Sequence, residues 1–184
     1  MTATTPNLRV VDGQGAEGGE PPLSDEELFK RYAPYVARIG LRLLGREADV
    51  DDLIQETFLA AFKQRGQVRN EGSIKHWLAT VAVRSARRQL RRRRARSFVG
   101  LDTGASEGVE LPAAGMTPEG KALLAKVYEV LDTIGVEQRL AWTLRHVEGE
   151  KLERVAQRCG CSLATAKRRI AAAHAQLQAE FDDD

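Results

Sequence analysis

The chain has 184 residues, 42% hydrophobic and 29% charged, with a formal net charge of +2. It holds no apolar run as long as a membrane span, and its N-terminus lacks the apolar core of a signal peptide, so the sequence argues against membrane insertion and for a cytoplasmic protein. Two cysteines, Cys159 and Cys161, sit too close together to form a disulfide framework, which suits a reducing compartment.

Helix formers dominate and no stretch alternates with period two for long, so the chain reads as all-α. Residues 1–22 are Gly-rich and polar, and predict a disordered tail. Gly13, Gly15 and Gly18 match the spacing of a dinucleotide fingerprint, but Pro21 and Pro22 stand where its helix would open and no second strand follows. No cofactor is expected there or elsewhere.

Order is expected from Ser24, whose spacing to Glu27 is that of a capping box. Leu28, Tyr32, Tyr35, Val36, Ile39 and Leu43 form an apolar stripe, interrupted by Pro34, which predicts a kink or two abutting helices. Gly45 closes the unit as a C-terminal cap. Between Arg46 and Gln64, Val50, Leu53, Ile54, Thr57, Phe58, Ala61 and Phe62 share one face, while Asp49, Asp52 and Glu56 share another beside Asp51 and Gln55. Grouped carboxylates can hold a metal or transfer protons, yet no histidine accompanies them. A solvated surface and a docking face for a basic partner both remain open.

After a polar loop from Gly66 to Gly72, Ser73 is placed to cap a helix running to Arg96. Its first half carries Ile74, Trp77, Leu78, Val81 and Ala82 toward a core. Its second half holds Arg84, Arg87, Arg88, Arg91, Arg92, Arg93, Arg94 and Arg96 with no acid between them. With Lys75, these account for nine cations, and the rest of the chain carries −7. Like charges along a helix repel unless an anion neutralises them, so the run points to nucleic acid or an acidic protein, against the plainer reading of a solvated helix end.

Residues 97–116 lose helical period and gain Gly, Ser and Pro, as a linker would. Thr117 and Pro118 open the next helix, with Leu123, Leu124, Val127, Leu131 and Ile134 inward. Another follows Gly135, with Leu140, Ala141, Leu144 and Val147 inward. Then Leu152, Val155, Ala156 and Cys159 form a short amphipathic helix, Gly160-Cys161-Ser162 a tight turn, and Leu163, Ala166, Ile170, Ala173 and Leu177 a longer stripe. This is the anatomy of a helix-turn-helix, with Ala164, Thr165, Lys167, Arg168 and Ala171 exposed near the start of its second helix. A purely structural helical hairpin is the plainer alternative. The histidines His76, His146 and His174 are scattered and make no constellation.

From Asp25 to Phe181 the chain resembles the sigma-70 family of RNA polymerase factors, in particular its small extracytoplasmic-function (ECF) group. Three pieces carry the resemblance in order: Asp51-Asp52-Leu53-Ile54-Gln55-Glu56-Thr57-Phe58, the Trp77 helix with its arginine tail, and the helix-turn-helix ending in Thr165-Ala166-Lys167-Arg168-Arg169-Ile170. The resemblance implies two small helical domains, sigma region 2 over 23–96 and region 4 over 117–184, joined by a flexible linker. It implies that Asp49, Asp52, Leu53, Gln55 and Glu56 dock on the clamp helices of core RNA polymerase, whose flap would meet the second module. Arg69, Asn70, Lys75, His76, Arg84, Arg87 and Arg88 would read the −10 element and its flipped-out base. Lys167 and Arg168 would read bases of the −35 element, with Thr165 and Arg169 on phosphate. An anti-sigma factor is an implied partner, and no enzymatic activity or metal is expected. Ala166 stands where the family usually carries a branched residue, which predicts looser packing, and Cys159 and Cys161 replace aliphatic residues. The rival readings are a stand-alone regulator of duplex operators and a Mg²⁺-dependent nuclease built on the acidic cluster.

Overall fold

A computed structural model describes residues 23–64, 71–98 and 116–182. These form seven α-helices: α1 (Asp25–Leu44), α2 (Val50–Lys63), α3 (Glu71–Phe98), α4 (Pro118–Thr133), α5 (Val136–His146), α6 (Leu152–Cys159) and α7 (Leu163–Asp182), with a 3-10 turn at Glu47–Asp49. The tail 1–22, with its glycine fingerprint, lies outside the described residues. So do residues 65–70 and most of the expected linker; its first two residues, Ser97 and Phe98, finish α3.

Local chemistry sets the helix ends. Ser24 and Glu27 close the capping box, each side chain accepting from the other's backbone N–H at 3.2 and 2.7 Å. Gly45 ends α1 with φ 73°, its N–H bonded to the Leu41 carbonyl. Thr117 Oγ1 accepts from Gly120 N at 3.2 Å to start α4. Of the two expectations at Pro34, abutting helices do not occur: α1 runs through it. Pro34 is exposed, so water can solvate the carbonyl that its missing N–H leaves unpaired. Ser73 is not a cap either, since α3 begins two residues earlier.

The long helix α3 lies at the centre. Helices α1 and α2 pack on it, and α5 and α6 also lie against it. Its middle is consequently buried almost all round, at Leu78, Ala79, Val81, Ala82, Val83, Ser85, Ala86 and Leu90. Trp77 packs at the edge of this core. The same continuous core takes in Leu140, Ala141 and Leu144 of α5, Val155, Ala156 and Cys159 of α6, and Ala166 of α7. A smaller second core joins α4 and α7 through Tyr128, Val130, Leu131, Ile134, Ala173 and Leu177. In α4 the inward face differs from expectation: Tyr128 and Val130 turn in while Leu123 is exposed.

Both helical modules are present in the expected order, but they are not held apart. The C-terminal module finishes α1. The final turn of a helix leaves carbonyls without intrahelical partners. Here Tyr128 donates to the Arg42 carbonyl at 2.6 Å, and Arg139 to those of Leu43 (3.2 Å) and Leu44 (2.7 Å). Arg139 is only 2% exposed, and burial pulls its pKa down from the usual arginine value against the opposing charge of Asp132. Its guanidinium also bonds Asp132, which Arg93 of α3 shares.

Candidate nucleic-acid interface

Five arginines of α3, Arg87, Arg88, Arg91, Arg92 and Arg93, lie against carboxylates of the same chain. Arg88 and Arg92 lie 2.9 and 3.4 Å from Glu56 of α2, and Arg88 also donates to the Ser85 hydroxyl. Arg93 lies 3.3 Å from Asp49. From the C-terminal module, Glu137 accepts from Arg91 at 2.9 Å and lies 2.9 Å from Arg87 Nε as an ion pair, and Arg94 donates to the Ile134 carbonyl. Arg87 Nη2 donates to the Cys159 carbonyl at 2.8 Å. The acids absent from the run are therefore supplied by four other positions, Asp49, Glu56, Asp132 and Glu137. Individually such half-exposed pairs contribute about 0–1 kcal/mol, so their interest lies in what they occupy.

Of the −10 set, Arg84 is exposed and outward. Lys75 and His76 are exposed near the start of α3, with Lys75 Nζ 4.8 Å over the Tyr35 ring. Partial burial and then the nearby charges of Arg154 and Arg158 lower the His76 pKa. Arg87 is half-buried between modules and Arg88 is engaged with Glu56, while Arg69 and Asn70 lie outside the described residues.

The helix-turn-helix has the expected geometry. Gly160 adopts φ 62°, a left-handed conformation that favours glycine, and Ser162 Oγ accepts from Thr165 N at 3.1 Å to open α7. Lys167 and Arg168 stand exposed between the equally exposed Ala164 and Ala171. Thr165 is half-buried, its hydroxyl 2.9 Å from that of Ser162. Arg169 turns inward and lies 3.2 Å from Glu137. Thus Arg87 and Arg169, expected on different DNA elements, meet at one carboxylate. Ala166 is fully buried, Cys159 is a core residue, and Cys161 is half-buried against that core. Burial pushes the Cys159 thiol up to about 11, which leaves it protonated and unreactive at neutral pH.

On α2 the acidic face is divided. Asp51, Asp52 and Gln55 are exposed, whereas Asp49 and Glu56 are engaged by α3. Leu53 is fully buried against Gly40 of α1, so it is no surface contact and supports the face from beneath. The sequence reading missed two apolar side chains here, Leu59 (58% exposed) and Phe29 (42%). Phe29 also lines an open groove between α1 and α2 with Ala33, Pro34, Ala37 and Ile54, and Asp51 and Gln55 on its rim. Sequence could have flagged Leu59, which stands off the apolar face between polar-facing positions. It also missed that His146 and His174 pair, their rings stacked 5.7 Å apart at 11°. Among the described residues no three His, Cys, Asp or Glu converge as a metal site, and Asp49 and Glu56 are met by arginines.

A helix-turn-helix packed on a second helical module with an arginine-rich central rod is the architecture of a nucleic-acid-binding protein. Residues 28–96 match the Sigma-70 region 2 family. The chain is 30% identical over 155 residues to the RNA polymerase sigma factor CarQ of Myxococcus xanthus, covering 83% of this chain and 86% of CarQ. It is 30% identical over 153 residues to the ECF sigma factor SigM of Mycobacterium tuberculosis, covering 83% and 74%. It is 29% identical over 173 residues to the ECF sigma factor SigE of Mycolicibacterium smegmatis, covering 92% of this chain and 65% of that relative. The fold is shared with the sigma factor RpoE of Bartonella quintana, solved with the anti-sigma factor NepR (TM-score 0.65, 22% identity, 86% and 97% covered). It is shared also with CnrH, solved with the cytosolic domain of CnrY (TM-score 0.57, 23% identity, 87% and 88% covered). The chain belongs to the ECF sigma factors, a group of transcription initiation factors.

Proposed function

We propose that this chain binds core RNA polymerase through the exposed part of α2, reads a −10 element with α3 and a −35 element with α7, and promotes melting between them. No catalytic residue is required: binding energy for the extruded strand offsets the cost of unpairing, and two weak readers on one polymerase gain from effective concentration. Asp51, Asp52 and Gln55, beside the apolar groove and Leu59, are suited to a partner surface that is both basic and apolar, either the clamp helices or an anti-sigma factor competing for them. Lys75, His76 and Arg84 are the −10 readers accessible in this conformation.

The observation that carries this reading is the exposed Lys167–Arg168 pair on a helix-turn-helix in the same chain as a region 2 match. The test is transcription in vitro with purified core and mapped start sites. Specific initiation is expected, with Arg168→Ala changing preference at particular −35 base pairs by about 1–3 kcal/mol if the contact is bidentate. Uniform weakening would place Arg168 on phosphate. Operator binding without any core-directed initiation would favour a stand-alone regulator instead.

A further inference from the structure

His146 ends α5 and His174 lies along α7, two helices that pack against each other within the C-terminal module. Their imidazole rings stand 5.7 Å apart, centre to centre, and 11° from parallel. Trp142, one turn before His146, lies 5.0 Å from its ring and packs on the second core. Both histidines are exposed, so neither ring is there to fill the interior. An aromatic stack is the plainer reading, but two polar rings with water at hand gain little from each other. The charges acting on His146 are those of His174 and Arg145, both opposing its protonation, and no acid is among them. The first effect, burial, acts the same way, so His146 is held neutral at pH 7, with a nitrogen lone pair free to ligate.

We propose that His146 and His174 together bind one divalent transition-metal ion, of the Ni²⁺, Cu²⁺ or Zn²⁺ class, which bridges α5 to α7. This site does not depend on the function proposed above. An imidazole nitrogen ligates such an ion at about 2.0–2.1 Å, which puts each ring centre about 3.2 Å from the metal. Two rings at a tetrahedral angle then have centres about 5.2 Å apart, and two in line about 6.4 Å. The observed 5.7 Å falls between these limits. The rings must turn out of their stack until one nitrogen of each faces a common point. The last torsion of a histidine is broad, and exposure leaves both rings room to turn. Their backbones, by contrast, are fixed by two packed helices, so little order has to be gained on binding. Imidazole favours these metals and is a poor ligand for Mg²⁺ or Ca²⁺, which take oxygen. Among the described residues no third His, Cys, Asp or Glu joins the pair, so water completes the coordination. His174 lies about two turns beyond Lys167 on the same side of α7. A bound ion therefore ties the helix that carries Lys167 and Arg168 to α5, and stabilises the module according to its occupancy.

The test is isothermal titration calorimetry of the untagged full chain with Ni²⁺, paired with thermal unfolding followed by circular dichroism. One ion per chain should bind, more tightly for Ni²⁺ than for Co²⁺, and saturating Ni²⁺ should raise Tm by several degrees where Mg²⁺ does not. His146→Gln and His174→Gln change exposed positions, so helix content should be kept. Each should weaken Ni²⁺ binding by about tenfold or more and remove the rise in Tm. The double variant should lose little beyond either single one, because one imidazole alone holds the ion weakly. His76→Gln, which removes the remaining histidine, should leave Ni²⁺ affinity unchanged. Ni²⁺ beside Trp142 should also quench part of the tryptophan emission, and Trp142→Phe should remove the quenched part. Ni²⁺ binding that survives either single variant, losses that add in the double variant, or an equal loss in His76→Gln would overturn the site.

Discussion

Gly45 offers a direct probe of whether the two modules touch in solution. It terminates α1 at φ 73°, and a Cβ built there would lie 2.3 Å from Cδ1 of Tyr128 in α4. Alanine would incur about 1–2 kcal/mol for the left-handed backbone alone. Tyr128 is 1% exposed, so its ring has no open space into which to retreat. Displacing it would break the 2.6 Å bond to the Arg42 carbonyl, about 1 kcal/mol, and disturb packing by about 1–2 kcal/mol more. Gly45→Ala should therefore destabilise the chain by about 3–5 kcal/mol. In a Tyr128→Ala background the clash is gone and only the backbone cost, about 1–2 kcal/mol, should remain. Urea unfolding of the four members of this double-mutant cycle, followed by circular dichroism, gives the coupling energy. A coupling of about 2–3 kcal/mol is expected. An equal cost of Gly45→Ala in both backgrounds would show that the residues do not meet, and the packed arrangement would have to be abandoned.

Leu53→Ala should cost about 2–5 kcal/mol of stability because its side chain is fully buried, whereas Asp52→Ala should leave the unfolding midpoint within about 0.5 kcal/mol and weaken capture of core polymerase; a docking defect without instability at Leu53 would contradict its placement. Asp132→Ala would leave Arg139 buried without its carboxylate, and should lower stability by about 1–2 kcal/mol after allowance for the partial exposure of Asp132; a neutral result would remove it from the inter-module network. The His146 pKa lies below 6.5, first because burial disfavours the imidazolium and then because His174 and Arg145 oppose its charge. The folded state thus binds the proton less readily than the unfolded chain, so stability is full above pH 6.5, declines as pH falls through that value, and levels below the folded pKa. His146→Gln should flatten the unfolding midpoint between pH 7 and 5; an unaltered slope would assign the dependence elsewhere.

What the sequence disclosed and what it hid follow the range of the forces involved. The capping box at Ser24, the glycine ends at Gly45 and Gly160, and the Ser162 cap depend on residues within four positions, and all were legible. The apolar face of α2 was legible too, because one side of that helix meets a core and the other meets water. Helix α3 defeats the same reasoning. Its middle is buried on two sides by different modules, so Ala79, Val83 and Ala86 produce no single stripe to detect. Arg139 was missed for a related reason: a buried arginine leaves no hydrophobic signature, and its partners lie about 95 residues away in the chain. The unrelieved arginine run invited a search for an external anion, when Asp49, Glu56, Asp132 and Glu137 arrive from other helices. Likewise, the division of the α2 face into engaged and exposed acids follows from where α3 crosses it, which no local pattern records. Lys167 and Arg168, which the spacing put on the outer face of α7, do stand exposed there.

The two-sided burial of α3 also bears on how such a chain must be handled by the cell that makes it. Parting the modules wets the greasy flank of α3 and its counterpart on α5 and α6 together. A molecule in that condition is adhesive, so any interval that it spends parted should be brief. Overproduction without a matching supply of acceptor would then be punished by precipitation, and abundance itself becomes a quantity worth restraining.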